Sequence, residues 1–118
     1  MRKMSKLHIK KFNVYLADLS PQIGTETGKT RPVVVVQTDL LNNIHPSTMV
    51  CPITTNLKDK SYILRVHLNK GEGGIHNKSD IMIDQIRAID NRRFIKHLGE
   101  IHHESRKKLI NNLKDILE

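Results

Sequence analysis

The stretch Arg31-Pro32-Val33-Val34-Val35-Val36-Gln37 decides the fold. Four consecutive β-branched residues crowd a helix at χ1 but suit a pleated strand, and a run apolar on both faces is comfortable only where both faces are covered. Pro32 stops any helix before the run. Residues 33–36 are therefore expected to form the buried central strand.

The same reading extends outward in both directions. Upstream, residues 13–19 alternate Val14 and Leu16 with Asn13, Tyr15 and Ala17, which predicts a half-buried strand ended by Ser20-Pro21 and Gly24. Downstream, Asn42-Asn43 and His45-Pro46-Ser47 read as a loop. Residues 48–54 read as a further apolar strand, where Pro52 predicts an edge or a bulge. Residues 62–68 set Leu64, Val66 and Leu68 against Ile63, Arg65 and His67, a strand with one wet face. Lys70-Gly71-Glu72-Gly73-Gly74 predicts a flexible turn, and residues 81–86 a strand with Ile81 and Ile83 on one face and Met82 and Asp84 on the other. Asp90 is placed to cap a short turn, followed by a strand near residues 95–101. The period then changes. Leu109, Ile110, Leu113, Ile116 and Leu117 form one apolar stripe of an amphipathic helix over about residues 104–118. With no helix between the early strands, a mainly β fold with a C-terminal α-helix, a small barrel-like antiparallel sheet, fits better than a βαβ unit.

At 118 residues the chain suits one domain. Lys and Arg number 20 against 12 acids, a formal charge of +8. Residues 1–11 carry Arg2, Lys3, Lys6, Lys10 and Lys11 with no acid. They read as a basic, disordered extension ahead of a domain over residues 12–118. A second cluster, Arg92, Arg93, Lys96, Arg106, Lys107 and Lys108, faces only Glu100 and Glu104. Both clusters read equally as solvated surface and as a footprint for an anionic partner. Aromatics are 3% of the chain, too few for a single-strand binder built on stacking platforms. No apolar run is long enough to span a membrane and no export signal is visible, so a cytoplasmic protein is expected. The single cysteine, Cys51, excludes an internal disulfide and a cysteine-rich metal site.

Gly24-Thr25-Glu26-Thr27-Gly28-Lys29-Thr30 approaches a phosphate-binding loop, but only three residues separate its glycines and Arg31-Pro32 follows where a helix is required. His102-His103-Glu104 places neighbouring side chains on diverging directions, a poor chelate, and no metal site is expected. Cys51, inside an apolar strand, reads as a buried structural thiol. What survives is a polar set at strand ends: Glu26 and Arg31 around the glycine turn, Thr54 closing the third strand, and Asp84-Gln85 interrupting an apolar one. Spacing alone favours a turn pair and a satisfied buried donor over a site.

Taken together, Val14-Tyr15-Leu16-Ala17-Asp18-Leu19-Ser20-Pro21, Gly24-Thr25-Glu26 with Arg31-Pro32-Val33-Val34-Val35-Val36-Gln37, Pro52-Ile53-Thr54, and Asp84-Gln85-Ile86-Arg87-Ala88-Ile89-Asp90 resemble the MazF/PemK toxins of toxin–antitoxin modules, in order and separation. The resemblance implies an SH3-like small barrel of the CcdB/PemK-like fold and a homodimer. It further implies sequence-specific, metal-independent cleavage of single-stranded RNA, mRNA included, with no cofactor, held silent by a cognate acidic antitoxin. Such cleavage uses the neighbouring 2′-hydroxyl as nucleophile and leaves a 2′,3′-cyclic phosphate and a 5′-hydroxyl, so the protein supplies a base, an acid and charge stabilisation. By the same resemblance Arg31 is the catalytic arginine, Thr54 the hydroxyl on the scissile phosphate, and Glu26 or Asp84 the general base. Gln85, Thr55, Lys29 and Thr30 are the implied RNA contacts. Two departures stand out: Lys11-Phe12-Asn13 replaces the frequent Arg-Gly-Asp, and Met82 occupies the place of an arginine used by PemK-type members. The competing readings are a CcdB-type gyrase binder, disfavoured by the absence of tryptophan, and an inactive RNA-binding homologue, disfavoured by the retention of Arg31 and Thr54.

Overall fold

The computed structural model describes residues 7–20, 24–25 and 29–118. Among the described residues seven strands precede one α-helix: β1 Asn13–Asp18, β2 Thr30–Val35, β3 Ser47–Thr54, β4 Arg65–Leu68, β5 Ser79–Met82, β6 Arg87–Asp90, β7 Phe94–Glu100 and α1 His103–Leu117. All pairings are antiparallel, in the order β4-β5-β3-β2-β1-β7, with β6 paired to the other half of β3. The result is a small barrel-like sheet, not closed, whose ends are β4 and β7.

The valine run lies at the centre, between β1 and β3, with Val33, Val34 and Val35 fully buried. Its alternation feeds two separate cores. Val34 points into a cluster with Val14, Cys51, Ile53, Val66, Ile81, Ile101, Leu109 and Leu113. Val33 and Val35 point into a second cluster with Ile9, Tyr15, Ala17, Leu19, Val50, Ile89 and Phe94. For that reason β1 is buried on both faces rather than half-buried: Val14 joins one cluster, Tyr15 and Ala17 the other. Residues 7–11, assigned to a basic extension by sequence, are held on the sheet. Ile9 is buried, its amide donates to Asn43 Oδ1 at 2.7 Å, and the Tyr15 hydroxyl donates to the His8 carbonyl at 2.9 Å. Residues 1–6 lie outside the described residues.

Four other expectations are corrected. Pro52 is on an interior strand, opposite Val33. It is tolerated because the outer side of β3 passes there from β6, which pairs residues 47–50, to β5, which pairs residues 53–54, so a ladder donor is dispensable. The strand expected at 62–68 is reduced to Arg65–Leu68, and the one expected at 81–86 ends at Met82, after which Ile83–Gln85 forms a 3₁₀ turn. The glycine-rich turn after β4 is not a loose connection. Glu72 is buried, and its Oε2 accepts from the His102 amide at 2.9 Å and the Ser105 hydroxyl at 2.5 Å, so an acid from a distant turn caps α1. Gly74 has φ +75°, and a Cβ there would run into the Leu98 carbonyl of β7, so glycine is required.

The turn capped by Asp90 followed by a strand is as expected: Asp90 Oδ1 accepts from the Arg92 amide, and β7 begins at Phe94. Along the stripe of α1, Leu109 and Leu113 are buried while Leu117 is exposed.

Candidate active site

In an antiparallel ladder, residues directly opposite one another project to the same face. Thr54 of β3 stands opposite Asp80 of β5, and Asp80 stands opposite His67 of β4. The β2–β3 ladder pairs Val33 with Pro52, and its register carried two residues further sets Arg31 opposite Thr54. Thr54, Asp80 and His67 thus form one polar row across three strands, about 10 Å from end to end at ~5 Å per pair, and the continued register would bring Arg31 to its Thr54 end. The adjacent row, Ile53, Ile81 and Val66, faces the other way, into the core that α1 covers.

Local chemistry holds the row in place. Thr54 Oγ1 accepts from the Asn56 amide at 3.1 Å, turning the chain back over the row. Asp80 is completely buried and takes three donors: the Lys58 amide at 2.8 Å and Arg65 Nη1 at 3.2 Å on Oδ2, and His67 Nδ1 at 2.6 Å on Oδ1. Arg65 Nη1 also donates to the Asn56 carbonyl at 3.0 Å, so the buried carboxylate and this guanidinium together tie the loop after β3 to the sheet. Behind the row, Thr54 and Thr55 line a cavity of about 320 Å³ with Pro32, Asn77, Ser79 and Lys96. A phosphate placed at the Arg31–Thr54 end would meet a guanidinium and a hydroxyl.

The sequence-selected residues separate into groups. Arg31, half-buried, and Thr30, exposed, sit in β2 opposite Ala17 and Asp18. Lys29 enters that strand at φ 65°, its carbonyl accepting from the Leu19 amide at 2.8 Å. Asp84 is exposed and lies elsewhere, in a cleft with Leu57, Lys58, Asp59, Ser61 and Arg65 that Thr54 does not line. Gln85, half-buried, ends the 3₁₀ turn beyond it. Glu26 lies outside the described residues. Burial, with a smaller contribution from the charge of Asp84, pushes the Cys51 thiol up to about 12, which leaves it protonated and no nucleophile. Among the described residues, no group of three His, Cys, Asp or Glu side chains gathers as a metal site.

The second cationic cluster proves largely structural. Arg93 donates to the Asp18 and Ser20 carbonyls and pins the corner where the glycine loop leaves β1, Arg92 pairs with Asp90, and Arg106 pairs with Glu100. Lys96 alone of the six reaches the Thr54 cavity. Sequence reasoning missed Asp80, Arg65 and His67. Nothing local marks them, because they meet only through the register of two strands, β4 and β5.

Residues 10–117 match the PemK-like, MazF-like toxin of type II toxin–antitoxin systems. The chain is 34% identical over 101 residues to endoribonuclease EndoA of Bacillus subtilis, covering 86% of this chain and 87% of that one. The crystal structure of MazF from Deinococcus radiodurans superposes with a TM-score of 0.79 at 23% identity, covering 95% of this chain and 98% of that one. A MazE–MazF structure from the same organism gives 0.73 at 23% identity, covering 95% and 97%.

Proposed function

The chain belongs to the PemK-like, MazF-like toxins of type II toxin–antitoxin systems, and from that premise we propose that it is an endoribonuclease acting at the Arg31–Thr54 end of the polar row. The observation that supports this reading is that the β2–β3 register, continued two residues past Val33–Pro52, sets Arg31 opposite Thr54, which itself lines a cavity. The name of the relative in Bacillus subtilis, endoribonuclease, sets cleavage above gyrase binding and above an inactive RNA binder.

The chemistry follows from the groups present. The 2′-oxygen of single-stranded RNA loses its proton to a base and attacks the adjacent phosphorus, the P–O5′ bond breaks, the departing 5′-oxygen takes a proton from solvent, and the products are a 2′,3′-cyclic phosphate and a 5′-hydroxyl. Arg31 offers a planar fork to the phosphoryl oxygens, whose charge grows in the transition state, and the Thr54 hydroxyl donates to the same group. No metal is required for this route. The 2′-proton passes to Glu26, five positions before Arg31 in the sequence; Asp84, in a cleft apart from Thr54, is a less direct acceptor. Thr55, Thr30, Lys29 and Gln85 supply further RNA contacts, and the sequence preference arises from them and from the loops beside them.

The protein works as a homodimer, supported by the exposed run Tyr62-Ile63-Leu64 beside α1, where Asn112 Nδ2 donates to the Tyr62 carbonyl at 2.9 Å. Its regulator is a cognate antitoxin, as in the MazE–MazF pair from Deinococcus radiodurans. An acidic, partly disordered antitoxin segment would complement the +8 chain and cover Arg31. Among the described residues no helix is long and apolar enough to cross a membrane, and we place the activity in the cytoplasm with its RNA.

The test is incubation with a long single-stranded RNA in excess EDTA, with fragment ends mapped and chemically identified. Discrete cuts ending in cyclic phosphate are expected, with Glu26→Gln reducing the rate far more than Asp84→Asn. Cleavage that requires added metal, or no cleavage across varied RNAs, contradicts the proposal.

A further inference from the structure

The polar row does not stop at the proposed catalytic pair. Beyond Thr54 it continues through Asp80 to His67 on β4, and these two form an arrangement that the cleavage chemistry leaves unused. A carboxylate only accepts, so the 2.6 Å contact places a proton on His67 Nδ1 and turns Nε2 outward. The Asp80 side chain is wholly inaccessible while that of His67 is 42% exposed. A buried acid thus holds one ring nitrogen and presents the other, preorganised, to solvent. The Lys58 amide and Arg65 share the other oxygen of Asp80, so the imidazole both satisfies Oδ1 and is oriented by it.

The surroundings specify what the ring meets. His67 lines a cavity of about 230 Å³ together with Leu57, Asn69, Lys78, Ser79 and the acid Asp59. Ser79 also lines the Thr54 cavity, so the two cavities adjoin across β5. An RNA strand with its phosphate at Arg31 and Thr54 that runs along the row reaches this second cavity within ~10 Å, two strand spacings away. Single-stranded bases are recognised by stacking on histidine and by hydrogen bonds to their edges, and their phosphates by lysine. The cavity holds both.

We propose that His67, oriented by Asp80, is a specificity-determining residue that contacts a nucleotide flanking the cleaved phosphate. His67 touches the RNA. Asp80 acts through it as a positioning residue. This rests on the endoribonuclease reading above.

The experiment uses the full-length protein and a parent RNA oligonucleotide containing one cut site, with each flanking nucleotide replaced in turn. Wild type, His67→Ala, His67→Gln and Asp80→Asn are compared for KM, kcat, flanking preference and melting temperature. His67→Ala is expected to lower kcat/KM about tenfold, mainly through KM, the effect of losing one recognition contact, and to level the preference at one flanking position. His67→Gln, which keeps a hydrogen-bonding side chain, retains part of that preference. Asp80→Asn should produce the same levelling, and combining it with His67→Ala should add little, because the two act as one unit. If Asp80→Asn does not fold, the two His67 variants carry the test. Unchanged KM and preference in His67→Ala overturn the inference, as does a lowered melting temperature with both unchanged. A wild-type protein that cuts no RNA overturns the underlying reading and this inference with it, whereas cutting by wild type with indifference to His67 overturns this inference alone.

Discussion

The β2–β3 register, continued two residues beyond its last pair, Val33–Pro52, sets Arg31 of β2 opposite Thr54 at the end of β3. Both residues belong to strands rather than to a flexible loop, so each variant can be read without loss of the other group. Arg31→Ala is expected to reduce cleavage about 10²–10³-fold, the range for removing one donor from a preorganised anion site. Arg31→Lys should recover little, since an ammonium cannot fork two donors onto one phosphoryl group. Thr54→Ala should cost less than Arg31→Ala, because a neutral hydroxyl contributes less to a charged transition state. Single-turnover cleavage with circular dichroism as a folding control checks all three, and an Arg31→Ala protein that cuts at the wild-type rate excludes the assignment.

How far the sequence alone could be read depends on whether the signal was local. The valine run, the capped turn at Asp90 and the stripe through Leu109 and Leu113 depend on neighbours within a few residues, and all three appear in the fold. Pro52 misleads because its tolerance comes from β3 changing partners from β6 to β5, a tertiary fact. Glu72 misleads because a charged residue between glycines reads as exposed, yet it is buried under the first turn of α1, thirty-odd positions later in the chain. Arg31 and Thr54 stand out through motif blocks. Asp80 and His67 do not, since nothing in Ser79-Asp80-Ile81 or Val66-His67-Leu68 shows that one residue lies opposite the other.

Phe12 has φ 66°, in the left-handed region where the resembled family has glycine. The turn geometry is therefore kept by a bulky residue at a conformational cost of about 1–2 kcal/mol. Its position is fixed by the amide donating to the Val35 carbonyl at 2.8 Å and the carbonyl accepting from Ile101 at 3.1 Å. The ring is held beneath Lys11 and Arg106, at 4.9 and 5.4 Å from its centroid. Phe12→Ala and Phe12→Gly both lose that ring, but only glycine relieves the backbone. Phe12→Gly is accordingly expected to be more stable than Phe12→Ala by about 1 kcal/mol in urea unfolding. The reverse order would show that the strain is carried elsewhere.

Cys51 gives a pH dependence with a defined sign. Its thiol is raised from 9.0 to about 12 in the fold, so the folded state retains the proton that the unfolded state releases first. The contribution to stability is complete below pH 9 and is lost as pH rises from there toward 12. Comparing wild type with Cys51→Ala isolates this group from the lysines and tyrosines that titrate in the same range. The wild-type advantage in urea midpoint should be constant from pH 7 to 8.5 and shrink by pH 10. An advantage that holds steady through pH 10 would mean the thiol ionises alike in both states.

Tyr62, Ile63 and Leu64 are 76%, 56% and 43% exposed in one protomer, an uneconomical placement for three consecutive large apolar side chains unless another surface covers them. Leu117, at the end of α1, is also 76% exposed, and α1 is tied to the same loop by Asn112. A two-fold contact through this region would bring each run against the partner's copy of the same patch. Ile63→Glu then places a charge in an apolar contact without disturbing the monomer core. The expected result is a rise of about 100-fold or more in the dimer dissociation constant, equivalent to ~3 kcal/mol, with an unchanged circular dichroism spectrum. Sedimentation velocity over a concentration series measures it, and cleavage by the variant at dilute and concentrated protein tells whether RNA needs both protomers. Wild-type protein that sediments as a monomer at micromolar concentration would contradict the assembly, and an Ile63→Glu dimer of wild-type strength would move the interface to another face.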